Sequence, residues 1–270
     1  MTGGATGAVP SHWAGMHRIW SFQGEPLRPP AEAVAQMVAA AGPAAAGRVL
    51  VLGVTPEFHA AFRDVTALDA SAGMIATVWP GDTPTHRAVQ GDWTQDIPAL
   101  GPFDLCVGDL SLSQLAGLAA RRVLDAVAAA LRPGGRVVIR TVCRPAAPVT
   151  EDAIRAHADA PGFNFHGLRL LIALHLAQAS GAEVPVRAIH DSFCRLFPDR
   201  DDFLRRTGLP PDRMILIDHY AASPLSWWVP SRDEVLDLAR AAGLDARIAP
   251  SGTYPFAPDL PLLVATPATA

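Results

Sequence analysis

Arg48-Val49-Leu50-Val51-Leu52 runs directly into Gly53-Val54-Thr55-Pro56-Glu57. A nearly continuous apolar run of this length reads as a strand buried on both faces, the habit of a parallel strand. Gly53 marks the end of that strand. A residue without Cβ lets the backbone approach a ligand closely. The helix that follows offers leading N–H groups that have no intrahelical partner. Strand, glycine and helix start together make one half of a nucleotide-binding crossover.

Working outward, a helix is predicted around Glu57–Arg63 and a second strand over Val65–Asp69. Ser71–Val78 reads as a short helix ended by Trp79-Pro80-Gly81, and a third strand covers Arg87–Gln90, followed by Gly91-Asp92-Trp93. Strand four is Phe103–Gly108, a helix follows over Ala116–Leu131, and Pro133-Gly134-Gly135 turns the chain into strand five, Arg136–Thr141. Strands and helices alternating at this spacing predict an α/β fold with a parallel sheet covered on both faces. Such sheets bind ligands beyond the carboxyl ends of their strands. Gly53 stands at that edge, and so does Asp69. A carboxylate there can accept both hydroxyls of a ribose; its plainer reading is a cap for the helix near Ser71.

The flanks divide the chain. Residues 1–30 form an N-terminal arm carrying Trp13, Trp20, Phe22 and Arg28. Pro29-Pro30 open a helix, Ala31–Ala41, stopped by Gly42-Pro43. Residues 31–142 and 227–270 are assigned to a Rossmann-like domain, and 143–226 to a helical cap with helices at 151–159, 166–180, 186–197 and 200–207. The helix Leu168–Ala179 is apolar nearly all round, so it belongs inside. Near the end, Ser231 and Glu234 make a capping box and Gly243 a stop, before two strands, Ala246–Ala249 and Leu262–Ala265.

Composition narrows the class. Half of the 270 residues are hydrophobic, enough for a large core, and the net charge of -4 comes without a Lys/Arg block. That disfavours nucleic acid as a partner. No apolar stretch approaches the ~20 residues a membrane helix needs. Cys106, Cys143 and Cys194 have no CxxC spacing and read as reduced thiols, and Met1–Pro10 does not read as a signal peptide. A cytoplasmic location is expected. No metal-ligand spacing is visible. Oligomeric state is not legible.

The segments VLVLGVTPE, VTALDASAGMI, VQGDWTQDIPALGPFDLCVGDLSL and ALRPGGRVVIRT together look like the successive motifs of class I S-adenosylmethionine-dependent methyltransferases. The resemblance implies a Rossmann-like, doubly wound, mostly parallel seven-stranded sheet of order 3-2-1-4-5-7-6, and S-adenosylmethionine (SAM) as cofactor. By it, Gly53, with Val54, Thr55 and Glu57 of the same loop, lines the methionine portion and Asp69 holds the ribose. Ala70 and Met74 lie near the adenine, Asp92 accepts from its amino group, and Trp93 lies beside the ring. Asp109 and Leu110 come near the sulfonium.

The first motif departs from the family. Most members have an acidic residue where Val51 stands and glycines where Thr55 and Glu57 stand, which puts the hold on the cofactor's amino group in question. Glu57 or Asp109 is the candidate replacement. The same departure counts against nicotinamide and flavin enzymes, which need GxGxxG.

Trp20 and Arg28 are candidates for the cofactor's carboxylate end or the substrate, or simply for packing. A general base, where one is needed, would be a histidine. His219, next to Tyr220 and ahead of Trp227-Trp228, is the first choice and His166 the second; His175 reads as a core histidine. The expected function is methyl transfer to a small-molecule acceptor, mainly by proximity, with an apolar acceptor suggested by the aromatic cap. The alternatives are a methyltransferase fold that uses SAM for a non-methylating reaction, and a non-catalytic SAM-binding fold.

Overall fold

The computed structural model of the chain describes residues 11–268; Met1–Pro10, and with it the reading of the leader, lies outside them. In chain order the helices are α1 (Ser11–Met16), α2 (Ala31–Ala41), α3 (Pro56–Ala61), α4 (Ala72–Val78), α5 (Ile97–Leu100) and α6 (Gly117–Ala130). They continue as α7 (Glu151–Ala158), α8 (Phe165–Ser180), α9 (Val186–Leu196), α10 (Arg200–Thr207), α11 (Ile215–Asp218) and α12 (Arg232–Ala241). The strands are β1 (Arg48–Leu52), β2 (Asp64–Asp69), β3 (His86–Gln90), β4 (Phe103–Asp109) and β5 (Leu131–Arg140). Four more follow: β6 (Glu183–Pro185), β7 (Ser226–Trp228), β8 (Leu244–Ala249) and β9 (Leu262–Pro267).

Seven strands form one sheet in the order β3-β2-β1-β4-β5-β9-β8. β1 to β5 are parallel, and β9 runs antiparallel to β5 and to β8. Counting only the strands of this sheet, the order is the expected 3-2-1-4-5-7-6. The order reverses at β1, between β2 and β4, so a crevice opens beyond their carboxyl ends. β6 and β7 form a separate antiparallel pair, with Val184 opposite Trp227. Its three-residue strands are too short for any hydrophobic period to show in the sequence.

Alternation along the central strands sorts side chains to two cores. Val49, Val51, Val65, Ala67, Leu105, Val107 and Val138 face one side, against α2, α3 and the cap. Leu50, Leu52, Leu68, Cys106, Val137 and Ile139 face the other, against α6 and α12. The first core is continuous with that of the 143–226 segment through Leu168, Ile172, Phe193 and Phe203. α8 is buried over most of its length, as its all-round apolarity requires, and is capped by Asn164 Oδ1, which accepts from the His166 and Gly167 amides at 2.9 Å each. The Ser231–Glu234 capping box opens α12, with bonds of 3.2 and 2.6 Å.

Burial raises the pKa of the Cys106 thiol and pushes that of Cys143 up to about 12, so both are poor nucleophiles; Cys194 is only partly buried. Among the described residues no helix is long and apolar enough to cross a membrane.

Candidate active site

A cavity of about 390 Å³ opens at the carboxyl edge of the sheet, bounded by the ends of β1, β2 and β4, the loop after β3, the N-terminal arm and the end of the cap. Its size falls in the ~300–1,000 Å³ range of small-molecule sites. Gly53, Val54, Thr55, Asp69, Ala70, Met74, Asp92, Trp93, Asp109, Leu110, Trp20 and Arg28 line it together. Glu57, His166 and His219 are not among its lining residues.

Gly53 has φ +96°, a conformation that side chains with a Cβ rarely adopt, and its amide donates to Leu68 O at 2.9 Å across the sheet. A Cβ on it would stand 3.7 Å from Asp69 Oδ2 and 3.9 Å from Trp93 Cζ2, so glycine leaves the space between these walls open. Asp69 uses one oxygen locally: Oδ1 accepts from the Ser71 amide at 2.7 Å. The helix cap is Ser71 itself, whose Oγ accepts from the Met74 amide. Oδ2 has no hydrogen-bond partner among the described residues and no cation pairs with it. Burial pushes the Asp69 pKa up to about 6, opposed by the Ser71 amide.

The loop after β3 is braced from within. Asp92 Oδ1 accepts from the Thr94 amide and hydroxyl at 2.7 and 2.6 Å. Trp93 Nε1 donates to Leu68 O at 2.5 Å, which sets the indole against the end of β2.

At the other end of the crevice, neither candidate for the missing acid at Val51 is free. Asp109 is held by Arg140, with Nε–Oδ1 at 2.5 Å and Nη2–Oδ2 at 3.0 Å. Burial raises the pKa of this carboxyl and the guanidinium opposes the shift. Glu57 Oε1 accepts from Arg28 Nη2 at 2.5 Å and Nε at 3.0 Å, while its buried Oε2 has no partner. Leu110 follows Asp109 at φ 52°, an uncommon conformation for a residue with a Cβ. Buried Ser111, which sequence reasoning passed over, also lines the cavity, with a hydroxyl that has no partner.

The facing wall comes from the arm and the end of the cap: Trp13, Trp20, Gln23, Tyr220, Leu225 and Trp227. The cap's phenylalanines are not part of it. Phe165, Phe193, Phe197 and Phe203 pack against one another edge-on or tilted, with Phe193–Phe203 centroids 5.1 Å apart, and form core. An apolar acceptor therefore cannot be read from them. Gln23 and Leu225 carried no motif; they reach the cavity only because the arm folds back and because the β6–β7 pair anchors the chain around Trp227.

The histidine bases are corrected by position. His166 is tied to Arg169 Nη1 through Nδ1 at 3.1 Å, and burial, then Arg169 and Arg213, push its pKa down to about 3. His219 Nε2 bonds His12 O at 2.9 Å, and burial lowers its pKa. Both are committed to structure behind the cavity wall. His175 is half-buried, its Nδ1 bonding Val149 O at 2.7 Å.

No protein-family model matches the chain, and no curated protein does. Solved structures do match. One, named as putative zinc-dependent alcohol dehydrogenases from Rhodobacter sphaeroides, has a TM-score of 0.61 at 14% identity, covering 95% of this chain and 97% of the other. The methyltransferase CcbJ from Streptomyces caelestis has a TM-score of 0.56 at 12% identity, over 96% and 99%. Human N-acetylserotonin methyltransferase in complex with SAM has 0.50 at 12% identity, over 95% of this chain and 55% of the longer human one. This is the class I methyltransferase fold. At these identities the likeness concerns the fold alone. Within the methyltransferase fold, it is the side chains at the strand ends that have to say what is bound.

Proposed function

We propose that the protein is a SAM-dependent methyltransferase acting on a small-molecule acceptor. The observation that carries this reading is Asp69: a half-buried carboxylate at the switch point, with one oxygen unpartnered and no cation nearby among the described residues. A pair of ribose hydroxyls supplies the donors it lacks. The residues fit the rest of the cofactor. Gly53 leaves room beside Asp69, Asp92 and Trp93 stand where the adenine would be read, Ser111 offers an unused hydroxyl, and Arg28 can meet the amino-acid end. The human neighbour was solved with SAM, which agrees with this choice.

Bound SAM supplies an already activated methyl on a sulfonium. The chain's own contribution is to hold the acceptor in line with it and to exclude water. Proximity and alignment can supply on the order of 7–11 kcal/mol. Among the described residues no histidine lines the cavity, which fits an acceptor that arrives already ionised.

The name of the Rhodobacter neighbour raises a metal-dependent dehydrogenase as a contrast. Among the described residues no group of three or more His, Cys, Asp or Glu could hold a metal ion, and the GxGxxG loop is missing. Calorimetry with S-adenosylhomocysteine (SAH) tests the proposal directly. One-to-one binding lost in Asp69→Ala is expected; a folded protein with neither heat nor thermal shift would remove the reading. A product without an added methyl would instead point to another use of the cofactor.

A further inference from the structure

Two arginines are fully buried in this molecule, Arg140 and Arg169. Arg140 has its carboxylate, Asp109. Arg169, on α8, has none among the described residues. Its Nη2 donates to Tyr220 Oη, and its Nη1 to Gln23 Oε1 and His166 Nδ1 at 3.1 Å each. Its Nε is buried without a partner. The guanidinium also lies 4.8 Å from the Tyr220 ring centroid. A buried cation without a counter-charge is costly to keep. The neighbouring histidines add no negative charge: burial first, then Arg169 and Arg213 for His166, and His219 and Arg169 for His12, push their pKa values down to about 3.

The direction of these hydrogen bonds matters. Arginine only donates, so Tyr220 Oη and Gln23 Oε1 are both used as acceptors. Each oxygen keeps a second lone pair, but with the guanidinium beside it, and each side chain also has a hydrogen left to donate. The Tyr220 proton has no acceptor among the described residues, and the Gln23 amide nitrogen meets only the weak acceptor Met16 Sδ at 3.7 Å. Tyr220 and Gln23 both line the cavity, together with Gly53 and Asp69.

The geometry points to an electropositive patch of Tyr220 and Gln23, each with a hydrogen left to donate and backed by Arg169, that binds an anionic oxygen of the methyl acceptor, a carboxylate or a phenolate. This rests on the proposed function for the meaning of the cavity and deepens it by naming the substrate class. It also accounts for the missing base. An acceptor drawn in as an oxyanion arrives deprotonated, and an ammonium is rejected by the cation behind the wall.

The test is a calorimetric titration at pH 8 with benzoate, 4-nitrophenolate and benzylamine, each with and without saturating SAH. Expected is at least a tenfold preference, about 1.4 kcal/mol, for one or both anions over benzylamine. Which anion binds separates the carboxylate from the phenolate source. Tyr220→Phe, which removes only the hydroxyl, should abolish the preference. Arg169→Met should do the same; should it fail to fold, Gln23→Leu replaces it, since Gln23 lies in the arm and is only partly buried. Equal binding of benzylamine, or a preference untouched by Tyr220→Phe, overturns the inference. So does a tenfold loss of SAH affinity in Tyr220→Phe with benzoate binding unchanged, which would give the patch to the cofactor's own carboxylate. Absence of SAH binding to the wild-type protein removes the proposed function instead, while the titrations without SAH still read the patch.

Discussion

Asp109 and Arg140 are register partners at the carboxyl ends of β4 and β5, and their side chains form a two-bonded ion pair inside the protein. The side chain of Arg140 is fully buried and that of Asp109 is 5% exposed. The same guanidinium also donates to Pro26 O at 2.9 Å and Tyr254 Oη at 3.2 Å, and Tyr254 reaches Ser251 Oγ at 2.7 Å. One cation therefore ties the sheet edge to the N-terminal arm and to the loop between β8 and β9.

Arg140→Met leaves the Asp109 carboxylate buried without a partner. Breaking one side of such a pair costs about 3–5 kcal/mol. Urea unfolding should show a loss in that range, and Asp109→Leu combined with Arg140→Met should recover part of it. A single mutant within about 1 kcal/mol of wild type would show that the pair does not hold the site together.

Asp69 makes ligand binding pH-dependent. Its folded pKa, about 6, lies above the ordinary 3.8, so ionising it works against the unliganded folded state. That penalty is absent below the unfolded value, grows as pH rises and is complete above about 6, where it amounts to about 3 kcal/mol. Ribose hydroxyls favour the ionised form. SAH affinity should therefore weaken about tenfold for each unit of pH below about 6. Asp69→Asn should bind weakly at pH 8 and lose this step. A flat affinity profile from pH 8 to pH 5 in the wild type would contradict the role.

Gly53→Ala forces a Cβ onto a backbone at φ +96° and places a methyl 3.7 Å from Asp69 Oδ2. The conformational cost is roughly 1–3 kcal/mol. Denaturation should register that loss. SAH titration should register a further one, because the methyl stands inside the cavity. Stability lost with SAH affinity retained would place the ligand elsewhere.

Arg28 and Glu57 have side chains that are 28% and 23% exposed, so their ion pair contributes at most about 1 kcal/mol to stability. Arg28→Ala should melt close to wild type. It should nonetheless bind SAH at least tenfold more weakly, with adenosine affinity unchanged, because the arm would read only the amino-acid end. A parallel loss of both affinities would count against this assignment.

The strand ends were legible because their signals are local. A buried parallel strand must be apolar, its end must turn, and Gly53 and Asp69 stand where the turn occurs, so residue type and spacing were enough. The terminal helix was equally plain from Ser231 and Glu234. The wall opposite was not. Trp227 is placed by its pairing with Val184, and Gln23 by an arm folded back across the crevice. The aromatic cap misled for the same reason: phenylalanines at helical spacing fill a core or line a pocket with the same periodicity, and only packing distinguishes the two.

Sequence alone determined where the strands and helices fall along the chain, the strand end where the crevice opens and the carboxylate waiting there, since hydrophobic period and turn chemistry act between near neighbours; the order of the strands in the sheet came from the resemblance to a family. Tertiary structure decided which charges are spent and which are left over. Arg140 meets Asp109, Arg28 meets Glu57 and Arg169 meets no acid among the described residues, because ion pairing depends on distances between segments far apart in the chain.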